Sequence, residues 1–562
     1  MQKDKQFYDN FFTRYPIDVH NDPVRFQAVA SLLSGRVLDV ACGTGSLADY
    51  YNNDYFGIDI SEVAINKAKA FRRKDARFMQ GDVCTMPTVS TKQYDSIYAG
   101  EFLEHIQNDD LLFERLLKKL KPAGRIVVTV PNGERIPDES HCRTFTVPQI
   151  RRDYGKYGKI TFHNWPGFAS RLLFTIEPGK IDQNDMTLVM ICKDEEKGIE
   201  NAIITALPFV DHVVVSVDTK TTDKTAEIAK LYADELVYHE WKDNFSEARN
   251  SVQKLVKTKW TLFLDGHEFI DKSGNIEDLL KLDVDGLLCT IKMENGTSFM
   301  YPRIFRSHLK FENAVHNAVD VKTKEYAPNF VIVHDRLNAQ SKASAHAREI
   351  QRDKMIPEIM AETLKKNPND QRALFNLANW YMTKNMLEPA LKTYQLCLKQ
   401  TPSPDERYFV KAQIGMCHQL LNHNLRATWS FFDLEKLIPN RWETKRLLGG
   451  IYLQRGQYKK ACEYLVFALD PNKKQYLYQL FGQDFAEIWD LIAMCFLEME
   501  QPAKAVIAWQ EAIKGTTEEK RKEFFQTKIR LCEMLLPRRI PVRDEGGSGE
   551  ERPGGVQGQS PC

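Results

Sequence analysis

Trp260-Thr261-Leu262-Phe263-Leu264-Asp265-Gly266-His267-Glu268 is an apolar, β-rich run that stops abruptly in acidic and imidazole side chains. Open α/β sheets bind ligands at the carboxyl ends of their parallel strands. The stretch therefore reads as a buried strand that delivers Asp265 and His267 to a site. Spaced two apart, the pair can share a face and offer oxygen and nitrogen to one divalent cation. A bound Mg²⁺ or Mn²⁺ would stabilise a diphosphate as it leaves, which makes the segment a candidate nucleotide-sugar site.

The same rhythm extends on both sides of this strand. TLVMIC (187–192) and HVVVSV (212–217) read as buried strands followed by helices, and LLCTIKM (287–293) follows, giving an α/β unit over 186–340. An earlier α/β unit is expected over 1–180. Its strands are RVLDVA (36–41), YFGIDI (55–60), YDSIYA (94–99) and RIVVTV (125–130), with helical patterns at 61–71 and 110–121 between them. Strand–helix alternation implies mainly parallel, doubly wound sheets. The turn-rich Glu177–Asn184 segment reads as the linker between the two units.

From about residue 345 the pattern becomes helical and repeats. One register holds Leu374, Leu377-Ala378, Tyr381, Ala390, Tyr394 and Pro402. Ile414-Gly415, Ala427, Phe431 and Pro439 form the next. A third has Leu448-Gly449, Tyr452, Ala461, Leu465, Ala468 and Pro471. The last has Trp489, Ile492-Ala493, Phe496, Ala505, Trp509 and Ala512. Small residues let paired helices approach and large ones fill the gaps, as in tetratricopeptide (TPR) arrays. A helical linker plus an all-α TPR solenoid is expected over 345–540. The Gly/Pro/Glu-rich tail at 541–562 is expected to be disordered.

A chain of 562 residues has room for three or four domains of roughly 100–200 residues each. With Lys+Arg 77 against Asp+Glu 76, net charge gives no footprint for a polyanion, so a nucleic-acid partner is not expected. No apolar signal core or membrane-length span is found, and the eleven cysteines include no CxxC pair. A cytoplasmic protein is expected.

Val37-Leu38-Asp39-Val40-Ala41-Cys42-Gly43-Thr44-Gly45 is a strand running into a glycine-rich turn that lets backbone approach a ligand. Asp59 ends the next strand, where a carboxylate can accept from both ribose hydroxyls, and Asp82 follows the third strand zone. With GEFLEHI (100–106), LKPAGRIVVTVPN (120–132) and ESHCRTFT (139–146), residues ~35–150 resemble class I S-adenosylmethionine-dependent methyltransferases of Rossmann-like fold. They are most similar to small-molecule and sugar O-methyltransferases. The resemblance implies S-adenosylmethionine around Asp39, Gly43, Gly45, Asp59 and Asp82, with His105 or His141 as the candidate base on an acceptor hydroxyl.

The later unit resembles family 2 glycosyltransferases of the GT-A fold. The marks are KDEE (193–196), VDTKTTDKT (217–225), WKDNFSEARN (241–250), LDGHE (264–268), PRIFR (302–306), AVHN (314–317) and VIVH (331–334). The resemblance implies that Asp218 contacts the base or ribose and that Arg249 helps hold the uridine or diphosphate. Asp265 and His267 would form a DxH variant of the DxD metal motif, with His334 or His316 as the candidate third ligand for Mn²⁺ or Mg²⁺. Glu268, Glu312 and His316 are the candidates for the base. Joined to TPR repeats, the combination is similar to bacterial glycosyltransferases, including peptide S-glycosyltransferases of the glycocin type.

The expected protein is a bifunctional transferase. It takes a sugar from a nucleotide-sugar, expected to be a UDP-sugar, and a methyl group from S-adenosylmethionine. The repeats would hold a protein, peptide or glycan acceptor. The alternatives are a TPR scaffold with one degenerate catalytic domain, and nucleic-acid base modification.

Overall fold

The computed structural model describes residues 4–14, 22–84, 93–107, 109–179, 185–242, 244–274, 276–294, 298–312, 318–335, 354, 356–469, 485–516 and 519–534. His316, Pro471 and the 541–562 tail lie outside these residues.

The first sheet has seven strands in the order β3-β2-β1-β4-β5-β7-β6. They are β1 (Val37–Val40), β2 (Tyr55–Asp59), β3 (Arg77–Gln80), β4 (Tyr94–Gly100), β5 (Leu120–Pro131), β6 (Lys159–Phe162) and β7 (Arg171–Glu177). β1 pairs in parallel with both β2 and β4, with Asp39 opposite Gly57 on one side and Tyr98 on the other. The order runs outward from β1 in one direction and then restarts at β4 in the other. This switch point opens a crevice at the strands' carboxyl ends. β7 is antiparallel to β5, and β6 to β7. All four β1 side chains are buried, which explains the continuous apolar run in the sequence.

Helices α1 (Lys5–Arg14) and α2 (Pro23–Leu32) precede β1. α2 starts with Pro23 and is capped by Asp22, whose carboxylate accepts from the Arg25 backbone N–H. α3 (Glu62–Phe71) is capped by Ser61, and α4 (Asp110–Lys119) buries Leu112, Phe113 and Leu116.

The second sheet is mixed and has eight strands in the order β10-β9-β8-β11-β14-β13-β17-β12. β8 (Met186–Cys192), β9 (His212–Asp218), β10 (Glu235–His239) and β11 (Trp260–Phe263) are parallel neighbours, and β14 (Ser298–Arg306) runs antiparallel to β11. β12 (Glu268–Ser273), β13 (Gly286–Met293) and β17 (Lys324–His334) complete it. β9 and β11 flank β8, so the switch point falls between β8 and β11. β11, and with it the Asp265-Gly266-His267-Glu268 turn that follows, thus ends at the crevice.

The two sheets share one continuous cluster of buried apolar side chains running from Phe26 to Ile332. Polar contacts cross the seam. Asn132 Nδ2 donates to Tyr232 Oη at 2.8 Å, and that hydroxyl donates to Glu200 Oε1 at 2.6 Å. The Val147 N–H donates to the Leu231 carbonyl at 3.0 Å, and Arg151 pairs with Asp234.

The helical repeats are pairs. Gln371–Thr383 packs on Leu387–Gln400, Trp442–Gln454 on Tyr458–Ala468, and Phe485–Glu498 on Pro502–Lys514. Pro404–Leu420 and Asn424–Leu437 are the helices of the second register. The first helix of each pair ends at a left-handed residue: Asn385, Asn422, Gly456 and Glu500. The small positions Ala378, Ala390, Ala427, Ala461, Ala468, Ala493, Ala505 and Ala512 are fully buried, as are Tyr394, Phe431 and Leu465. The described residues divide into two compact units, one up to Ala427 and one from Thr428 onward.

Candidate functional sites

In the first sheet, the crevice is a cavity of about 670 Å³. Asp39, Gly43, Asp59, Asp82 and His105 all line it, together with Tyr8, Arg25, Glu101, Glu104, His141 and Arg171. Gly45 does not line it but makes the turn beside it. Its φ is +72°, and a Cβ there would meet Phe78 Cε1 at 2.4 Å, so a side chain is excluded both by strain and by space.

Asp59 is 6% exposed. Its Oδ2 accepts from the Gly43 N–H and its Oδ1 from the Ser61 N–H, both at 2.8 Å. Burial pushes its carboxyl up to about 6, opposed by those two hydrogen bonds. Asp39 sits deeper, accepts from Tyr55 Oη, and is pushed by burial to about 7. Asp82 caps its own turn, accepting from the Cys84 N–H at 2.8 Å. Burial also raises the Glu104 carboxyl well above its usual range and lowers the His105 imidazole.

One part of this wall left no signal in the sequence. Arg25 comes from α2 and Arg171 from β7, and they meet Glu101 from opposite sides, Arg171 Nε donating to Glu101 Oε2 at 2.8 Å. Nothing local in either segment marks these residues.

In the second sheet, three loops at the carboxyl ends of β9, β8 and β11 stand side by side. Asp218, 2% exposed, ends β9, accepts from the Lys220 N–H at 2.9 Å and lies 3.7 Å from Lys193 Nζ. Asp223 turns inward: it accepts from the Thr225 N–H at 2.9 Å and the Glu196 N–H at 3.0 Å, which ties the β9 loop to the β8 loop. Helix α8 (Phe245–Gln253) is capped by Asn244 and presents Arg249 beneath Asp265, Nη2 to Oδ1 at 2.9 Å. The guanidinium also lies 4.0 Å from the centroid of the Phe263 ring.

Behind Asp265 the side chains form a buried chain. His267 Nδ1 is 3.3 Å from Glu195 Oε1, and His334 Nδ1 is 3.2 Å from Glu268 Oε1. The two imidazoles meet edge to face, centroids 4.5 Å apart. Glu268 is 1% exposed and also pairs with Arg303. Burial would raise its carboxyl, but the Arg303 charge and the His334 hydrogen bond hold it below its ordinary value. Gly266 leaves room for this arrangement, since a Cβ there would meet Glu195 Cγ at 2.8 Å. Asp265, His267 and His334 are not gathered as three ligand atoms within 4.8 Å of one another; among the described residues only Glu104, His105 and His141 are. Glu312 is exposed on β15 (Phe311–Glu312). The KDEE and PRIFR segments held Glu195 and Arg303 in view, but their contacts span 72 and 35 residues.

Comparison with known proteins agrees with this division. Residues 34–165 match the family model described as a methyltransferase domain, and residues 187–321 match glycosyl transferase family 2. The chain is 24% identical over 264 residues to the SPbeta prophage-derived glycosyltransferase SunS of Bacillus subtilis, covering 44% of this chain and 61% of SunS. It is 34% identical over 100 residues to a phosphoethanolamine N-methyltransferase of Triticum aestivum, covering 17% of this chain and 20% of that one. A TPR repeat-containing protein of Synechococcus elongatus is 25% identical over 243 residues, 40% of this chain and 59% of its own. The chain therefore spans about three-fifths of SunS and a fifth of the wheat enzyme. Among solved structures, PH0226 of Pyrococcus horikoshii is 20% identical over 31% of this chain and 100% of its own, with a TM-score of 0.27. The chain thus joins a methyltransferase domain, a family 2 glycosyltransferase domain and a TPR region. No helix among the described residues is long and apolar enough to cross a membrane.

Proposed function

We propose that the chain is a bifunctional enzyme. It transfers a sugar from a nucleotide-sugar, taken to be a UDP-sugar, and methylates a sugar or related acceptor with S-adenosylmethionine. The observation that carries this reading is the arrangement of Asp218, Arg249 and Asp265 at the switch-point crevice, in a chain whose other sheet encloses a cavity lined by Asp39, Asp59 and Asp82.

In the sugar-transfer site, Asp218 would receive the base or ribose, and Arg249, held by Asp265 and Phe263, would face the diphosphate. Asp265, His267 and His334 offer oxygen and nitrogen donors of the types that Mn²⁺ or Mg²⁺ take, and each imidazole has Nδ1 against a carboxylate. Such an ion supplies charge neutralisation for the departing diphosphate. Glu268 is committed to Arg303 and His334, so we assign it to holding that pair. Glu312 and His316 are then the candidates for taking the acceptor's proton.

In the methyl-transfer site, Asp59 would bind the ribose and Asp82 the adenine edge, with Asp39, Gly43 and the Gly45 turn shaping the floor. The acceptor would enter beside His105 and His141. Methyl transfer is an in-line displacement that needs mainly positioning. The TPR region would bind the protein, peptide or glycan acceptor. The ten described cysteines are free thiols, which suits a cytoplasmic enzyme.

Calorimetric titration with S-adenosylmethionine tests the first site: binding heat is expected in the wild type and lost in Asp59→Ala. Normal binding by that variant would overturn the ribose assignment. Thermal shift with UDP- and GDP-sugars plus Mn²⁺ tests the second, and no stabilisation by any nucleotide would overturn it.

A further inference from the structure

Glu104, His105 and His141 come together on the wall of the methyl-donor cavity, each offering a ligand atom within 4.8 Å of the others. Glu104 is 1% exposed, and neither of its carboxylate oxygens finds a hydrogen-bond partner among the described residues. Holding the ionised carboxylate there without a hydrogen-bond partner costs several kcal/mol, a cost that a bound cation would offset.

The surroundings of the two histidines have the features of ligand support. His105 Nδ1 is 3.2 Å from the Ser140 carbonyl. A carbonyl can only accept, so Nδ1 carries the hydrogen and Nε2 is left bare, the tautomer a metal ligand requires. His141 is pinned from both sides. Asp138 Oδ1 accepts from the Ser140 N–H at 2.7 Å, and the Cys142 N–H donates to the Glu104 carbonyl at 2.8 Å. The His105 and His141 rings are 5.1 Å apart, edge to face.

We propose that Glu104, His105 and His141 form a divalent-cation site that binds the oxygen of a hydroxyl-bearing acceptor beside the methyl donor. This inference rests on the methyl-transfer reading given above. Two nitrogens and one carboxylate suit Zn²⁺, Mn²⁺ or Co²⁺ better than Ca²⁺, and three protein ligands leave positions open for the acceptor. Cation binding lowers the pKa of the hydroxyl, and its proton leaves to bulk water. The oxygen then forms its bond to the methyl carbon as the carbon–sulfur bond of the sulfonium breaks. The sulfur keeps the electron pair and departs as a thioether. The acceptor class is accordingly an alcohol, such as a sugar hydroxyl, rather than an amine, which needs no cation to become nucleophilic.

The test is Co²⁺ titration of the full chain carrying His267→Gln, which removes an imidazole of the other candidate site. A visible Co²⁺ band saturating at one ion per chain is expected. Adding His141→Ala should weaken Co²⁺ binding at least ~100-fold, and adding Glu104→Gln should do the same without changing side-chain volume. S-adenosylmethionine binding, followed by calorimetry in the same variants, reports that the domain is folded. No band in the His267→Gln parent, or a band unchanged in both added variants, would overturn the cation site. A band with no S-adenosylmethionine binding would leave the cation site standing and overturn the methyl-donor reading instead.

Discussion

His267 Nδ1 lies 3.3 Å from Glu195 Oε1, and both side chains are almost wholly buried. The contact joins the end of β8 to the turn after β11, so it fixes the imidazole across the crevice rather than along the chain. A carboxylate behind a histidine fixes its tautomer and raises the basicity of the distal nitrogen. Glu195→Gln is expected to weaken Mn²⁺ binding at the sugar-transfer site by about 10–100-fold. Calorimetric Mn²⁺ titration in the presence of UDP checks this, and an unchanged affinity would remove His267 from the ligand set.

Arg249 is 9% exposed and divides its charge between Asp265 and the face of Phe263. Asp265 is partly solvated, so the pair contributes less than a fully buried one. Arg249→Lys keeps the charge but loses the planar stacking and the fork. It should cost about 1–2 kcal/mol of stability and raise KM for the donor more than it lowers kcat. Urea unfolding and steady-state hydrolysis of the donor measure the two effects.

Asp59 and Asp39 carry a stability cost that depends on pH. Burial pushes them up to about 6 and about 7, above the ordinary carboxyl value of 3.8. Between those limits the folded chain keeps protons that the unfolded chain has lost, so stability falls as pH rises from about 4 to about 7. Asp59→Asn should flatten part of that fall and stabilise the ligand-free protein at pH 7.5 by about 2 kcal/mol, while losing S-adenosylmethionine. Scanning calorimetry at pH 5 and pH 7.5 compares the variants, and an equal Tm difference at both would contradict the assignment.

In the helical unit, Arg441 Nε and Nη2 donate to the two oxygens of Glu443, both at 3.1 Å, and neither side chain is exposed. Removing one member of such a pair takes the nearest opposite charge from the other. Glu443→Ala is expected to destabilise this unit by about 3–5 kcal/mol, without altering S-adenosylmethionine binding. Far-ultraviolet circular dichroism against urea follows the helices.

Parallel strands were the most legible part of the chain. VLDV, TLVM, VVVSV and WTLF are buried on both faces and read as unbroken apolar runs. The residues at their carboxyl ends, Asp39, Asp218 and Asp265, followed from that reading. β12 was not legible, because EFIDKS runs from buried Glu268 and Ile270 into exposed Asp271, Lys272 and Ser273, and among the described residues it pairs with β17 at the sheet edge. The four helical registers showed through their alanines, which lie against neighbouring helices with no exposed surface. What escaped were charges held by distant partners. Arg25 meets Glu101, Glu195 meets His267, and Arg303 meets Glu268, each a contact that exists only once the sheets have formed.

The most direct test of the account is hydrolysis of a panel of UDP- and GDP-sugars by the full chain with Mn²⁺, set beside the Asp265→Asn variant. The account predicts that at least one donor is hydrolysed and that the variant loses at least about 100-fold of that rate, a deficit of roughly 3 kcal/mol in the barrier. No hydrolysis of any donor, or an equal rate in Asp265→Asn, would contradict it.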